Sequence, residues 1–122
     1  MILVRLTCAV YWLVLSVLLL APDPMALFGV YQPPGPPGGR TVHFFLFTLL
    51  AFLVWASRWP ARRRRIVGLL LVFAVVMEPL QVFVPERTVE VLDLIENLLG
   101  VAAGTAIWRW VHKKQSRLSP EK

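Results

Sequence analysis

The stretch that decides the fold is residues 66–85, which read IVGLLLVFAVVMEPLQVFVP. A helix needs about 20 predominantly apolar residues to cross the hydrocarbon core of a bilayer, and this run has that length. It contains one acidic residue, Glu78, and an ionisable side chain in the hydrocarbon costs about 2.5–3.5 kcal/mol on insertion scales. The run therefore predicts a transmembrane helix whose acidic side chain faces the interior of a helix bundle.

The composition of the whole chain agrees with a membrane protein. It has 122 residues, of which 57% are hydrophobic and 16% charged, and its mean hydropathy is +0.66. A soluble domain of this size cannot bury so large an apolar fraction. Three further apolar runs approach the spanning length, and the first lacks the A-x-A cleavage pattern of a signal peptide. We therefore predict an all-α membrane protein, a bundle of four transmembrane helices over about residues 2–21, 42–59, 66–85 and 89–111.

The connections between these runs leave no room for a separate soluble domain. We expect residues 1–112 to form a single transmembrane domain. The last residues, 113–122, are short and polar, and we expect them to be a disordered cytoplasmic tail.

The basic residues indicate how the helices are oriented. Of the 13 Lys and Arg residues, only Arg40 and Arg87 lie on the side opposite to the chain termini. The positive-inside rule makes the basic side cytoplasmic, so both termini are predicted to be cytoplasmic. The four arginines at 62–65 would suit nucleic acid in a soluble protein, but here topology and attraction to anionic headgroups explain them. The expected partners are therefore membrane lipids and not nucleic acid.

Polar side chains are concentrated towards the outer ends of three apolar runs. They are His43, Glu78, Gln81, Arg87, Asp93 and Asn97. Glu78 and Gln81 lie three residues apart and so share a helix face, and the helical rise places Glu78 and Asn97 at similar depth. We predict an outer polar pocket in which surplus carboxylates suit a cationic or polyhydroxylated group, while Arg87 suits a carboxylate or phosphate.

Proline and glycine add two structural expectations. Pro79 removes a helical hydrogen bond, and the resulting bend either opens space beside Glu78 or has no functional role. Gly100 and Gly104 form a G-x-x-x-G pair that allows close helix packing. We expect them to pack against the third helix, with homodimerisation as the alternative.

The order of these residues resembles the VanZ-like family of small bacterial integral membrane proteins. The resemblance runs from about Thr41 to Gly104 and rests on E-x-x-Q, a basic turn residue and D-x-x-x-N-x-x-G-x-x-x-G. It implies that the six polar residues are family-pattern positions. The family is named for a protein associated with low-level resistance to the glycopeptide teicoplanin, and its biochemical activity is unsettled.

Four functions fit these observations. The leading hypothesis is a multi-pass protein of the bacterial cytoplasmic (inner) membrane whose pocket binds an envelope component, a lipid headgroup or a glycopeptide-related ligand, and so affects antibiotic resistance. The others are an enzyme with His43 or Asp93 as base and Glu78 as acid, a small proton-coupled transporter using Glu78, and a structural assembly subunit. A metal at these three residues is a variant of the enzyme, but they lack a metal-ligand spacing, so no metal or cofactor is expected.

Overall fold

The computed structural model describes residues 1–22, 26–29, 40–85 and 88–119. Within these ranges the chain forms helices and no strand, which confirms the all-helical fold. The α-helices are α1 (Ile2–Leu20), α2 (Arg40–Ala56), α3 (Arg63–Leu80) and α4 (Val91–Leu118), and two short 3-10 helices cover Ala26–Phe28 and Gln81–Phe83.

Three of these segments are long and apolar enough to cross a membrane. They are Ile2–Leu20, Arg63–Phe83 and Val91–Leu118, whereas the apolar part of α2, Val42–Ala56, is shorter. Large apolar side chains on all four helices face outward, as they do in proteins surrounded by lipid. The buried core is formed by a smaller apolar set that includes Leu15, Phe47, Leu50, Leu70 and Met77.

The closest helix packing is between α2 and α4. A methyl group added at Gly100 would lie 2.6 Å from the carbonyl oxygen of Phe44, and one added at Gly104 would collide with the carbonyl oxygen of Thr48. The expected packing of this glycine pair against the third helix was therefore wrong. The helix partner is α2 because its facing surface carries the small side chains of Thr48 and Ala51, which let the two backbones approach.

The end of α2 is held by the beginning of α1. The Arg5 guanidinium donates from Nε to the Ser57 carbonyl oxygen at 3.1 Å and from Nη2 to the Arg58 carbonyl oxygen at 3.0 Å. Arg58 has a φ of 44°, the left-handed conformation that commonly ends a helix, and Pro60 follows. The helix therefore ends at Ala56, earlier than the predicted 59.

The boundaries of α3 also differ from the expectation. Its first turn contains Arg63, three residues before the predicted start, and the guanidinium of this residue lies 5.6 Å from the ring centre of Trp55. At the other end, Pro79 lies one residue before the last residue of the helix. The chain then tightens into the 3-10 helix Gln81–Phe83, after which the backbone N–H of Val84 donates to the carbonyl oxygen of Gln81.

Helix α4 continues well beyond the predicted end at 111. Residues 113–118, which we expected to belong to a disordered tail, are helical up to Leu118. Basic side chains such as Arg117 in the last turn favour this extension through the helix dipole, and Lys114 lies over the ring of Trp110 at 5.5 Å. The remainder of the tail, 120–122, lies outside the described residues.

The two ends of the bundle differ in character. The start of α1, the end of α2, the start of α3 and the C-terminal part of α4 share one end, which carries most of the described basic residues. The start of α2, the end of α3 and the start of α4 form the opposite end. The described basic residues and the predicted polar pocket therefore lie mostly at opposite ends of the molecule.

Candidate functional site

The end of the bundle opposite the basic residues contains a group of polar side chains from three helices. His43 lies in the first turn of α2, Glu78 near the end of α3, and Asp93 and Asn97 in the first two turns of α4. Glu78 is 2% exposed and Asn97 is fully buried, while the side chains of His43 and Asp93 are 12% and 17% exposed. We call these four residues the polar cluster.

Asn97 connects the three helices of the polar cluster. Its Nδ2 donates to the carbonyl oxygen of Ala74 on α3 at 3.2 Å, and its Oδ1 lies 3.1 Å from Nδ1 of His43 on α2. Because Nδ2 is the donor to a carbonyl, Oδ1 is the acceptor, and His43 must carry its proton on Nδ1. The hydrogen-bond network thus assigns the orientation of the amide and the Nδ1–H tautomer of the imidazole.

The second ring nitrogen of His43 faces the acidic side of the cluster. Nε2 lies 3.9 Å from Oδ2 of Asp93, which is too far for a hydrogen bond. One ligand atom from each of His43, Glu78 and Asp93 lies within 4.8 Å of the others. One imidazole and two carboxylates therefore converge on a common point.

Glu78 also joins α3 to the beginning of α4. Its Oε1 accepts a hydrogen bond of 3.0 Å from the backbone N–H of Glu90, the residue that caps α4. The N-terminus of a helix carries a partial positive charge that stabilises nearby carboxylates, and Asp93 lies in the same first turn. The start of α4 therefore helps to hold two carboxylates close together.

Gln81 follows Glu78 by three residues in the sequence but is not one of the four residues of the polar cluster. It is 1% exposed and lies in the 3-10 helix that follows α3. Its Nε2 is buried and has no hydrogen-bond partner among the residues that the structure describes. A buried amide donor in this condition is rare in folded proteins and often marks a position where water or a ligand binds.

The remaining predicted site residue, Arg87, lies outside the described residues. The six predicted positions are therefore divided as follows: four form the polar cluster, Gln81 is buried in the adjoining turn, and Arg87 is not described.

The structure also contains a basic crevice that the sequence reasoning did not identify. It has a volume of about 830 Å³ and lies at the opposite end of the bundle, between the α2–α3 connection and the C-terminal part of α4. Its lining includes Trp55, Arg58, Arg63, Trp108 and Arg109. The available signal was the clustering of tryptophan and arginine at the ends of two apolar runs.

The comparisons with known proteins agree with the resemblance noted in the sequence. The sequence model of the protein family described as VanZ/LLP1 matches residues 9–112, a range that includes the polar cluster and both packing glycines. No curated protein and no solved structure matches the chain at a significant level.

Proposed function

Because the chain belongs to the VanZ/LLP1 family, we propose that it is a VanZ-like protein of the bacterial cell envelope whose polar cluster binds an envelope component or a lipid headgroup. In this proposal all four helices cross the cytoplasmic membrane as one domain, residues 1–112. Both termini are cytoplasmic and the polar cluster faces outward. Ligand binding there affects susceptibility to glycopeptides of the teicoplanin type.

The charge distribution supports this orientation. Arg5, Arg58, Arg63 and Arg109 lie at the end of the bundle opposite to the polar cluster, and the positive-inside rule assigns such an end to the cytoplasm. The 17 residues of α2 extend about 25 Å at about 1.5 Å per residue, close to the roughly 30 Å thickness of the hydrocarbon core. This length is compatible with a fourth crossing.

The single observation that carries the proposal is the convergence of an imidazole and two carboxylates from three different helices. Polar contacts between membrane helices contribute about 0.6 kcal/mol on average, so helix association does not require two carboxylates at one point. The buried Nε2 of Gln81 adds a hydrogen-bond donor without a partner among the described residues. The imidazole and the two carboxylates suit a ligand with cationic or hydroxyl groups.

A structural role is the second candidate, and a specific observation favours it. Asn97 hydrogen-bonds to both α2 and α3, which is what a residue that only holds helices together would do. Asp93 behaves differently, since its one described ionic contact is 3.9 Å long and its side chain is partly exposed. The two functions therefore predict different consequences for Asp93.

The glycines bear on the oligomeric state. Gly100 and Gly104 are covered by α2 within the chain, so they do not provide the homodimer interface that was the alternative to intramolecular packing. A homo-oligomer would have to use other surfaces. The proposed function is complete within a single chain, because all residues of the polar cluster come from it.

The test uses a strain that lacks the protein and is complemented with wild type, Glu78→Gln or Asp93→Asn at matched membrane levels. Ser16→Ala is the control, since the Ser16 hydroxyl donates to the Trp12 carbonyl oxygen of its own helix and does not belong to the polar cluster. We expect the first two variants to lose protection against glycopeptides while the control resembles wild type. Equal protection by all variants would contradict ligand binding at the cluster.

A further inference from the structure

We propose that His43, Glu78 and Asp93 bind a divalent transition-metal ion, with Zn²⁺ as the best match. The inference rests on the proposed function in one respect, because the ion occupies the same outward pocket and supplies the cationic point to which an oxygen of the ligand binds. It goes further by naming the first occupant of that pocket and the atoms that hold it. The ligand set is one imidazole nitrogen and two carboxylate oxygens.

The distances fit a shared ion once the side chains move closer together. Nitrogen and oxygen ligands lie about 2.0–2.2 Å from Zn²⁺, so two atoms bound to one tetrahedral ion are about 3.3–3.6 Å apart. Nε2 of His43 and Oδ2 of Asp93 are 3.9 Å apart, and the ligand atoms of all three residues lie within 4.8 Å of one another. The longest separation must shorten by up to about 1.3 Å for tetrahedral coordination, a movement that rotation of the carboxylate side chains can supply.

The hydrogen bonds of His43 leave the required nitrogen free for a metal. Asn97 donates to Ala74 through Nδ2 and therefore accepts from Nδ1–H of His43 through Oδ1. In the neutral imidazole with this tautomer, Nε2 carries a lone pair, and it faces the carboxylate of Asp93. A metal-bound histidine is commonly held in this way, with its other ring N–H donated to a fixed acceptor.

The charge of the cluster suits a cation. When His43 is neutral, the lone pair of its Nε2 lies 3.9 Å from a carboxylate oxygen, which is an unfavourable arrangement. A divalent ion bound to both atoms replaces this repulsion with attraction and compensates two negative charges. An imidazole ligand favours Zn²⁺ over Mg²⁺ and Ca²⁺, which prefer sites made of oxygen alone.

The exposure of the site permits exchange of the ion and binding of a ligand. Glu78 is buried, but the side chains of His43 and Asp93 are 12% and 17% exposed, so the converging atoms are reached from the end of the bundle. Three protein ligands leave at least one coordination position of Zn²⁺ open. A phosphate, carboxylate or hydroxyl oxygen of an envelope molecule would bind there.

From the sequence alone no metal is expected, because residues 43, 78 and 93 have no short ligand spacing. That reasoning applies to sites built on one helix or one loop. Here each ligand comes from a different helix, so only the tertiary packing of α2, α3 and α4 brings them together.

The experiment measures metal binding by the purified full chain in detergent micelles. The protein is washed with a chelator, dialysed against Zn²⁺ alone and assayed for bound metal, and Co²⁺ is then used as a spectroscopic probe of the coordination. We expect one Zn²⁺ per chain, unaffected by excess Mg²⁺. His43→Gln and Asp93→Asn should each weaken binding by more than about tenfold, the lower limit for loss of even a supporting residue.

His112→Gln is the matched control, because the chain has two histidines and His112 is exposed on the distal part of α4. This variant should retain one Zn²⁺. The Co²⁺ spectrum of the wild type keeps the test decisive if the other variants fail to fold, since an imidazole–carboxylate site gives an absorption that aqueous Co²⁺ does not. Absence of Zn²⁺ from the wild type, or equal binding by His43→Gln, would overturn the proposal.

These outcomes are separable from those of the proposed function. If the wild type binds no metal but Glu78→Gln and Asp93→Asn still lose protection, the metal site fails and the proposed function stands. If one Zn²⁺ binds and all variants protect equally, the metal site stands and the proposed function fails.

Discussion

Replacing Gly100 by alanine should destabilise the bundle and disturb the polar cluster together. The new methyl carbon would lie 2.6 Å from the carbonyl oxygen of Phe44 and 2.8 Å from Cβ of Phe47. Favourable contacts between carbon atoms begin at about 3.5 Å, so α2 and α4 would have to separate by roughly 0.5–1 Å. The obstructing oxygen belongs to the backbone of a helix and cannot rotate away.

The expected cost follows from this overlap. Overpacking by one methyl group in a tightly packed interior costs about 1–3 kcal/mol, and the higher helix propensity of alanine returns about 0.5–1 kcal/mol. The net loss of unfolding free energy is therefore about 0–2.5 kcal/mol relative to wild type, and about 1–3 kcal/mol relative to a helical glycine-to-alanine substitution that creates no overlap. The same separation would lengthen the 3.1 Å contact between His43 and Asn97, which spans the two helices one turn away.

The assay is denaturant titration in mixed micelles, followed by helical circular dichroism, with the His43 ring signals recorded by NMR. Gly68→Ala is the matched control, since a methyl group on this helical glycine of α3 meets no atom within 4 Å. The control should be as stable as wild type or slightly more stable. If Gly100→Ala is as stable as Gly68→Ala, the close α2–α4 packing is incorrect.

Three further experiments test other contacts. Asn97→Leu removes hydrogen bonds to α2 and α3 and should lower the free energy of unfolding by about 1–3 kcal/mol. Ser16→Ala is its control and should change stability little, because the Ser16 hydroxyl bonds only to its own helix. Similar losses in the two variants would contradict the bridging role of Asn97. Arg5→Gln removes two hydrogen bonds to the end of α2 and should lower the free energy of unfolding by about 1–2 kcal/mol, with faster amide exchange at that end. Unchanged exchange would refute the contact between Arg5 and the end of α2. Trp55→Phe and Thr105→Val should show a coupling energy of about 0.5–1.5 kcal/mol in a double-mutant cycle, because the indole N–H donates to the threonine hydroxyl at 3.0 Å. Additive effects of the two substitutions would mean that this hydrogen bond contributes nothing to stability.

Hydropathy was sufficient to predict the helices but not their ends. The ends depend on contacts with other helices. Arg5 donates to the carbonyl groups after α2, and Arg63 in the first turn of α3 packs over a tryptophan ring of α2. Arg5 is separated by more than 50 residues from the groups that it binds. Periodicity within one run carries no information about them.

The position of the polar cluster along the helices was predictable, and its internal contacts were not. Helical rise placed His43, Glu78 and Asn97 towards the same end of the bundle. The G-x-x-x-G pattern indicated a close helix contact but not which neighbour makes it, and the choice of the third helix was wrong. The acceptor role of Asn97 emerges only when the carbonyl of Ala74 is seen beside its amide nitrogen.

The most direct test of the central claim is the protection conferred by Asp93→Asn in the complemented strain, with its membrane level and its stability in micelles matched to wild type. Asp93 is suited to this because, within the described part of the chain, its ionic contact to His43 is 3.9 Å long and contributes little to holding the helices. We expect this variant to be folded and inserted in the membrane but no longer to protect against glycopeptides. Full protection by this variant would contradict the claim that the polar cluster is a binding site.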